Sequence, residues 1–120
     1  MNSTNSGQVW FLSGDLMFAS RVSAAAEQAG LAFKMSGQLP PHEPGQQVTP
    51  GWFILDLATR GSLLPEVYHE AVQRFPSARW IAYGPHVQTE RLQAAKDAGI
   101  PTVLTRGQFN AQLPNLFLTG

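Results

Sequence analysis

The sequence predicts one doubly wound α/β domain, a five-stranded parallel sheet with helices on both faces. Three observations carry this expectation. Short apolar runs recur at 9–12, 31–35, 52–57, 79–83 and 101–105, each of strand length and bounded by turn residues. Segments with apolar residues at helical spacing lie between most of them, the pattern of a parallel sheet with crossover helices. The run Trp52-Phe53-Ile54-Leu55-Asp56-Leu57 is apolar without alternation except for its acid, as a strand covered on both faces requires.

Val9-Trp10-Phe11-Leu12 forms the first strand, and Ser13-Gly14-Asp15 turns the chain. Asp15 or Ser13 caps a helix running to about Ala29, with Leu16, Phe18, Val22, Ala25, Ala26 and Ala29 near one side and Gly30 closing it. The second strand spans 31–35. Pro40, Pro41 and Pro44 follow, with Pro50 beyond, so the crossover into the third strand (52–57) carries a reduced second helix or none. After Thr59-Arg60-Gly61, a helix over 63–75 places Leu64, Val67, Tyr68, Ala71, Val72 and Phe75 on one face, with Pro65 in its first turn. Pro76-Ser77 stop it. The fourth strand, 79–83, ends at Gly84-Pro85. A polar-faced helix over 87–98 turns Leu92, Ala95 and Ala98 inward and closes at Gly99. The fifth strand is 101–105, and Phe109, Leu113, Leu116 and Phe117 mark a last short helix. Right-handed crossovers leave few topologies, and five strands favour the flavodoxin-like order 2-1-3-4-5. Residues 1–7 read as a disordered N-terminal tail and 8–120 as the folded domain.

Eight basic and eight acidic residues cancel, which removes the electrostatic footprint of a nucleic-acid or anionic-membrane binder. Charged residues make up 13% of the chain, about half the usual share, and so little charge favours self-association. There is no cysteine, so disulfides, thiol catalysis and thiolate metal sites are excluded. The amino terminus is polar and uncharged, unlike a signal peptide. No apolar run approaches the ~20 residues of a membrane span. A small, soluble, cytoplasmic protein is expected.

In this topology the carboxyl ends of strands one, three, four and five meet around one cleft. They bring together Ser13, Gly14 and Asp15; Asp56; Tyr83 and Gly84; and Thr105 and Arg106. Three stretches, WFILDL, YGPHVQTERLQAAKDAGI and PTVLTRGQF, resemble the receiver domain of bacterial two-component response regulators, the CheY-like form of the flavodoxin-like fold. The resemblance covers nearly the whole folded chain. It implies a signalling module and not an enzyme, with a phospho-acceptor at Asp56. It also implies Mg²⁺ held by that aspartate and an acidic pair after the first strand, a Ser or Thr after the fourth strand and a Lys after the fifth. Phosphoryl transfer needs positioning and positive charge more than covalent help, and Mg²⁺ takes one or two carboxylates in an oxygen shell.

The chain departs from that pattern at four places. The acidic pair becomes Ser13-Gly14 or Gly14-Asp15, so at most Asp15 joins Asp56 as a metal ligand. Gly84 replaces the hydroxyl residue. Arg106 replaces the lysine, with a bulkier and differently forked cation. The aromatic switch position of the fifth strand falls on Val103. These departures make the resemblance that of a degenerate receiver, a pseudo-receiver.

Plainer roles are also available. Asp15 fits a helix N-cap, and Asp56 fits a turn-forming acid paired with Arg106. His42, His69 and His86 share no metal-ligand spacing, and only His86 lies at the cleft rim. Trp10, Trp52 and Trp80 stand near strand beginnings and read as packing. No Gly-x-Ser-x-Gly elbow, Gly-x-Gly-x-x-Gly or P-loop occurs. The leading expectation is a non-catalytic signalling module without a cofactor. It would act through a protein partner or homodimer, using the last two helices and fifth strand. One alternative is a phospho-acceptor using Asp56 and Mg²⁺. Another is a small-molecule or anion sensor in the same cleft, using Arg106 and the backbone near Gly84.

Overall fold

A computed structural model describes residues 7–41 and 50–118. Residues 1–6 of the expected tail, and residues 42–49 with His42, lie outside the described residues. The expected reduction of the second helix can therefore be followed only through 37–41, which hold no helix.

The chain runs β1 (Gln8–Leu12), α1 (Leu16–Gln28), β2 (Ala32–Ser36), β3 (Pro50–Asp56), α2 (Leu57–Arg60), a single 3₁₀ turn (Gly61–Leu63), α3 (Glu66–Arg74), β4 (Arg79–Gly84), α4 (Thr89–Ala98), β5 (Thr102–Thr105) and α5 (Arg106–Leu116). All strand pairs are parallel and the sheet order is β2-β1-β3-β4-β5, as expected. The apolar strands explain why both faces are covered. Val9, Phe11, Ile54, Ile81 and Tyr83 point into one core with α1 and α5. Trp10, Leu12, Phe53, Leu55, Trp80 and Ala82 point into a second core with α2, α3 and α4. Trp10 and Trp80 are buried within this second core, and Trp52 packs edge-on against Phe117 (ring centroids 5.1 Å apart).

The helix ends follow local chemistry. Asp15 is the N-cap of α1, its Oδ1 accepting from Phe18 N at 3.1 Å. Thr105 and Gln108 form a reciprocal capping box at the start of α5. Gly30 and Gly99 take positive φ (77° and 103°) just beyond α1 and α4, where a side chain would be strained.

Three expectations need correction. The helix expected over 63–75 is shorter, α3 beginning only at Glu66 after Pro65, and it is preceded by a helix that was not expected, α2, which starts directly after Asp56 because the aspartate itself caps it. Leu16 does not face the core; it is 78% exposed beside Met17 at 86%, because at 3.6 residues per turn it stands about 120° round the helix from the buried face of Phe18, Ala19, Val22, Ala25 and Ala26. Ala19 packs inward in its place. Val72 is also exposed, while Ala71 alone of α3 is fully buried.

Candidate functional site

The register places Asp56 opposite Tyr83 and Gly84 opposite Thr105, so the carboxyl ends of the strands meet as the topology requires. Asp56 is the last residue of β3 and is completely buried. Its Oδ2 accepts from the Ser13 hydroxyl at 2.7 Å and from the Thr59 hydroxyl at 2.9 Å, and its Oδ1 accepts from Ala58 N at 3.0 Å. Three donors on a buried carboxylate repay the loss of water around it.

The donors are themselves tied down. Ser13, 2% exposed, accepts from Asp15 N at 2.9 Å, and Thr59 accepts from Gly14 N at 3.0 Å. Asp56, Ser13 and Thr59 thus join the β1–α1 turn to α2 in one closed network. The Arg60 guanidinium lies against both Gly14 and Gly37: a Cβ built on either would approach it to 3.1–3.2 Å. Arg91 of α4 donates to the carbonyls of Leu57 and Ala58 at 2.8 and 3.0 Å, pinning α2 from the other side.

Gly84 is buried because Leu57 stands over it. A Cβ at position 84 would meet Leu57 Cβ at 3.2 Å, closer than such atoms ordinarily approach. Tyr83 projects to the opposite face, stacked on Phe109 (4.3 Å, 4°) and tilted against Phe18 (5.3 Å). Its hydroxyl is buried without a hydrogen-bond partner. Burial first, then the nearby Asp56 and Asp15, push the phenol well above its ordinary pKa.

Arg106 opens α5, exposed, and does not pair with Asp56. It lines a groove of about 880 Å³ between the starts of α1 and α5, with Asp15, Phe18, Arg21 and His86. Among the described residues, no group of three or more His, Asp or Glu side chains is close enough to hold a metal ion. No helix of the described residues is long and apolar enough to cross a membrane.

Neither a protein-family profile nor a curated protein sequence matches the chain. Solved structures do match. A response regulator from Thermotoga maritima aligns at a TM-score of 0.67 over 92% of each chain with 11% identity. The phosphorylated cyanobacterial phytochrome response regulator RcpA gives 0.71 over 94% of each chain with 9% identity. A CheY-like response regulator from Mesorhizobium loti gives 0.67 over 94% of this chain and 96% of that one, with 19% identity. The fold is the receiver fold.

Within this receiver fold the residues expected at the cleft fall into two groups. Asp56, Ser13 and the Gly14 backbone share the closed network, and Gly84 lies beside it under Leu57. Asp15 and Arg106 face the neighbouring groove, with Tyr83 buried between the two groups. The expected Asp56–Arg106 pairing is replaced by hydroxyl donors, and Arg106, in the first turn of α5, lines the groove instead. Thr59, Arg60 and Arg91 were not legible as site residues. The Asp56-x-x-Thr59 spacing is a helix-start pattern that points to Thr59 once α2 is known to begin there, whereas Arg60 and Arg91 carry no local signal.

Proposed function

We propose that this receiver-fold domain is a non-catalytic signalling module that works through protein contacts, with Asp56 serving as a structural latch and not as a phospho-acceptor. The observation that carries this reading is the closed network on the buried Asp56 carboxylate. A phospho-acceptor must offer one oxygen to the incoming phosphorus and keep room for the cation and three phosphoryl oxygens. Here Ser13 and Thr59 occupy Oδ2, the Ala58 amide holds Oδ1, and Leu57 fills the space next to Gly84.

The donor set also fits Mg²⁺ poorly. Asp15, the only carboxylate following β1, is engaged as the α1 cap and faces the groove, leaving hydroxyls and not acids around Asp56.

The proposed contact surface is α4, β5 and α5. Strand β5 stands at the edge of the sheet, and its residues, Val103 and Leu104 included, are only half-buried. An edge with unpaired backbone groups and apolar side chains is suited to a partner or a second copy of the domain, and the low charge of the chain adds little repulsion. Sedimentation velocity and partner capture test this with two variants. Asp56→Asn leaves association unchanged, while Thr102→Arg with Gln112→Arg weakens it. A strict monomer with no partner, or association lost only in Asp56→Asn, refutes the reading.

A further inference from the structure

The groove between the starts of α1 and α5 is separate from the Asp56 network, and its chemistry is not explained by the contact module. One wall is apolar: Met17, Phe18 and Pro85. Met17 is 86% exposed, and its chain neighbour Leu16 (78%) and Val87 (73%), next after His86, are exposed as well. The other wall carries positive charge. Arg106 makes no hydrogen bond or ion pair among the described residues and occupies the first turn of α5, where the helix dipole already disfavours a cation. Arg21 is held in place by Asn110 Oδ1 at 2.8 Å and by the Phe18 ring at 5.9 Å. His86 stands at the mouth.

One acid faces the groove. Asp15 has its Oδ1 taken by the α1 cap, so two arginines outnumber it. Beneath the floor, Phe18 packs against Tyr83 and Phe109, which gives the groove a rigid aromatic base. Arg21 and Asn110 also line a second, smaller hollow of about 250 Å³ with Leu113 and Pro114. The groove's combination of an apolar wall with a few convergent polar groups is that of a small-molecule site, at the end of the sheet where ligands of such folds collect.

We infer that this groove binds a small organic anion, its carboxylate or phosphate held by Arg106 and Arg21 and its apolar body laid on Met17, Phe18 and Pro85. A guanidinium takes either head group by paired hydrogen bonds. The inference is independent of the state of Asp56.

The test is an amide NMR titration of the whole chain with benzoate and with phenyl phosphate. Inorganic phosphate and benzyl alcohol serve as half-ligands lacking the ring or the charge. Saturable shifts at Met17, Phe18, Arg106, Gly107 and Asn110 are expected with at least one aromatic anion, and which anion binds more tightly distinguishes carboxylate from phosphate recognition. Each half-ligand should bind about tenfold or more weakly, and so should the aromatic anion to Arg106→Gln or to Met17→Asp. Asp56→Asn should bind as the wild type does, which keeps this result apart from that of the contact-module reading. No saturable shift with either anion, equal binding of benzyl alcohol, or unchanged affinity in Arg106→Gln overturns the inference.

Discussion

The Ser13 hydroxyl lies 2.7 Å from Asp56 Oδ2, with Ser13 2% exposed and Asp56 fully buried. This contact spans 43 residues of sequence and closes the carboxyl end of β1 onto that of β3. Thr59 completes it from α2, so one buried carboxylate organises the β1–α1 turn and the start of α2.

Removing that carboxylate should therefore cost stability. Asp56→Ala leaves the Ser13 and Thr59 hydroxyls and the Ala58 amide without their acceptor, and the expected loss is about 2–3 kcal/mol in urea unfolding. Asp56→Asn keeps the shape and one carbonyl acceptor and should lose less. Equal stability of Asp56→Ala and wild type would contradict the latch.

The space beside Gly84 is taken by Leu57, whose Cβ would lie 3.2 Å from a Cβ at position 84. Gly84→Ser should destabilise by about 1–3 kcal/mol through overpacking. Combined with Leu57→Ala the penalty of the serine should shrink, because the two residues share one space. A double-mutant cycle by chemical denaturation reads the coupling; strict additivity would show that the contact does not decide the residue.

Tyr83 gives a pH signature. Its phenol is held above its ordinary value chiefly by burial, so between the unfolded value of about 10 and the higher folded value the native state binds the extra proton. Stability is then unaffected below pH ~10 and falls above it by up to about 1.4 kcal/mol per pH unit. Tyr83→Phe should remove that tyrosine's share of the alkaline loss and, by deleting an unpartnered buried hydroxyl, should cost within about 1 kcal/mol at pH 7. Thermal unfolding at pH 7 and pH 11 compares the two proteins, and identical alkaline losses would refute the assignment.

Arg91 ties α4 to α2 through two carbonyls. Arg91→Gln should speed amide hydrogen exchange in 57–63 several-fold while costing only about 1 kcal/mol globally, since the side chain is largely solvated. Unchanged exchange there would mean that α2 is held by Leu57 packing alone.

The strands and their order were readable because burial on both faces leaves a continuous apolar signature, and WFILDL, RWIAY and VWFL carry it. Asp56, Ser13 and Gly84 were readable as neighbours because topology alone brings those strand ends together. Their relation was not. Whether Asp56 meets Arg106 or a pair of hydroxyls depends on where α2 and α5 begin, and a four-residue helix such as Leu57–Arg60 is too short to show periodicity. Leu16 misled for a different reason: it is apolar and opens the helix, but the buried face is set by Phe18, Ala19, Val22, Ala25 and Ala26, and Leu16 stands about 120° round from it.

The most direct test of the central claim is an amide NMR titration with Mg²⁺ followed by beryllofluoride, a mimic of the phosphoryl group. If Asp56 is a latch, the amides of Ser13, Asp56, Thr59 and Gly84 stay in place through both additions. Saturable shifts centred on Asp56, abolished in Asp56→Asn, would instead make it a working phospho-acceptor and contradict the account.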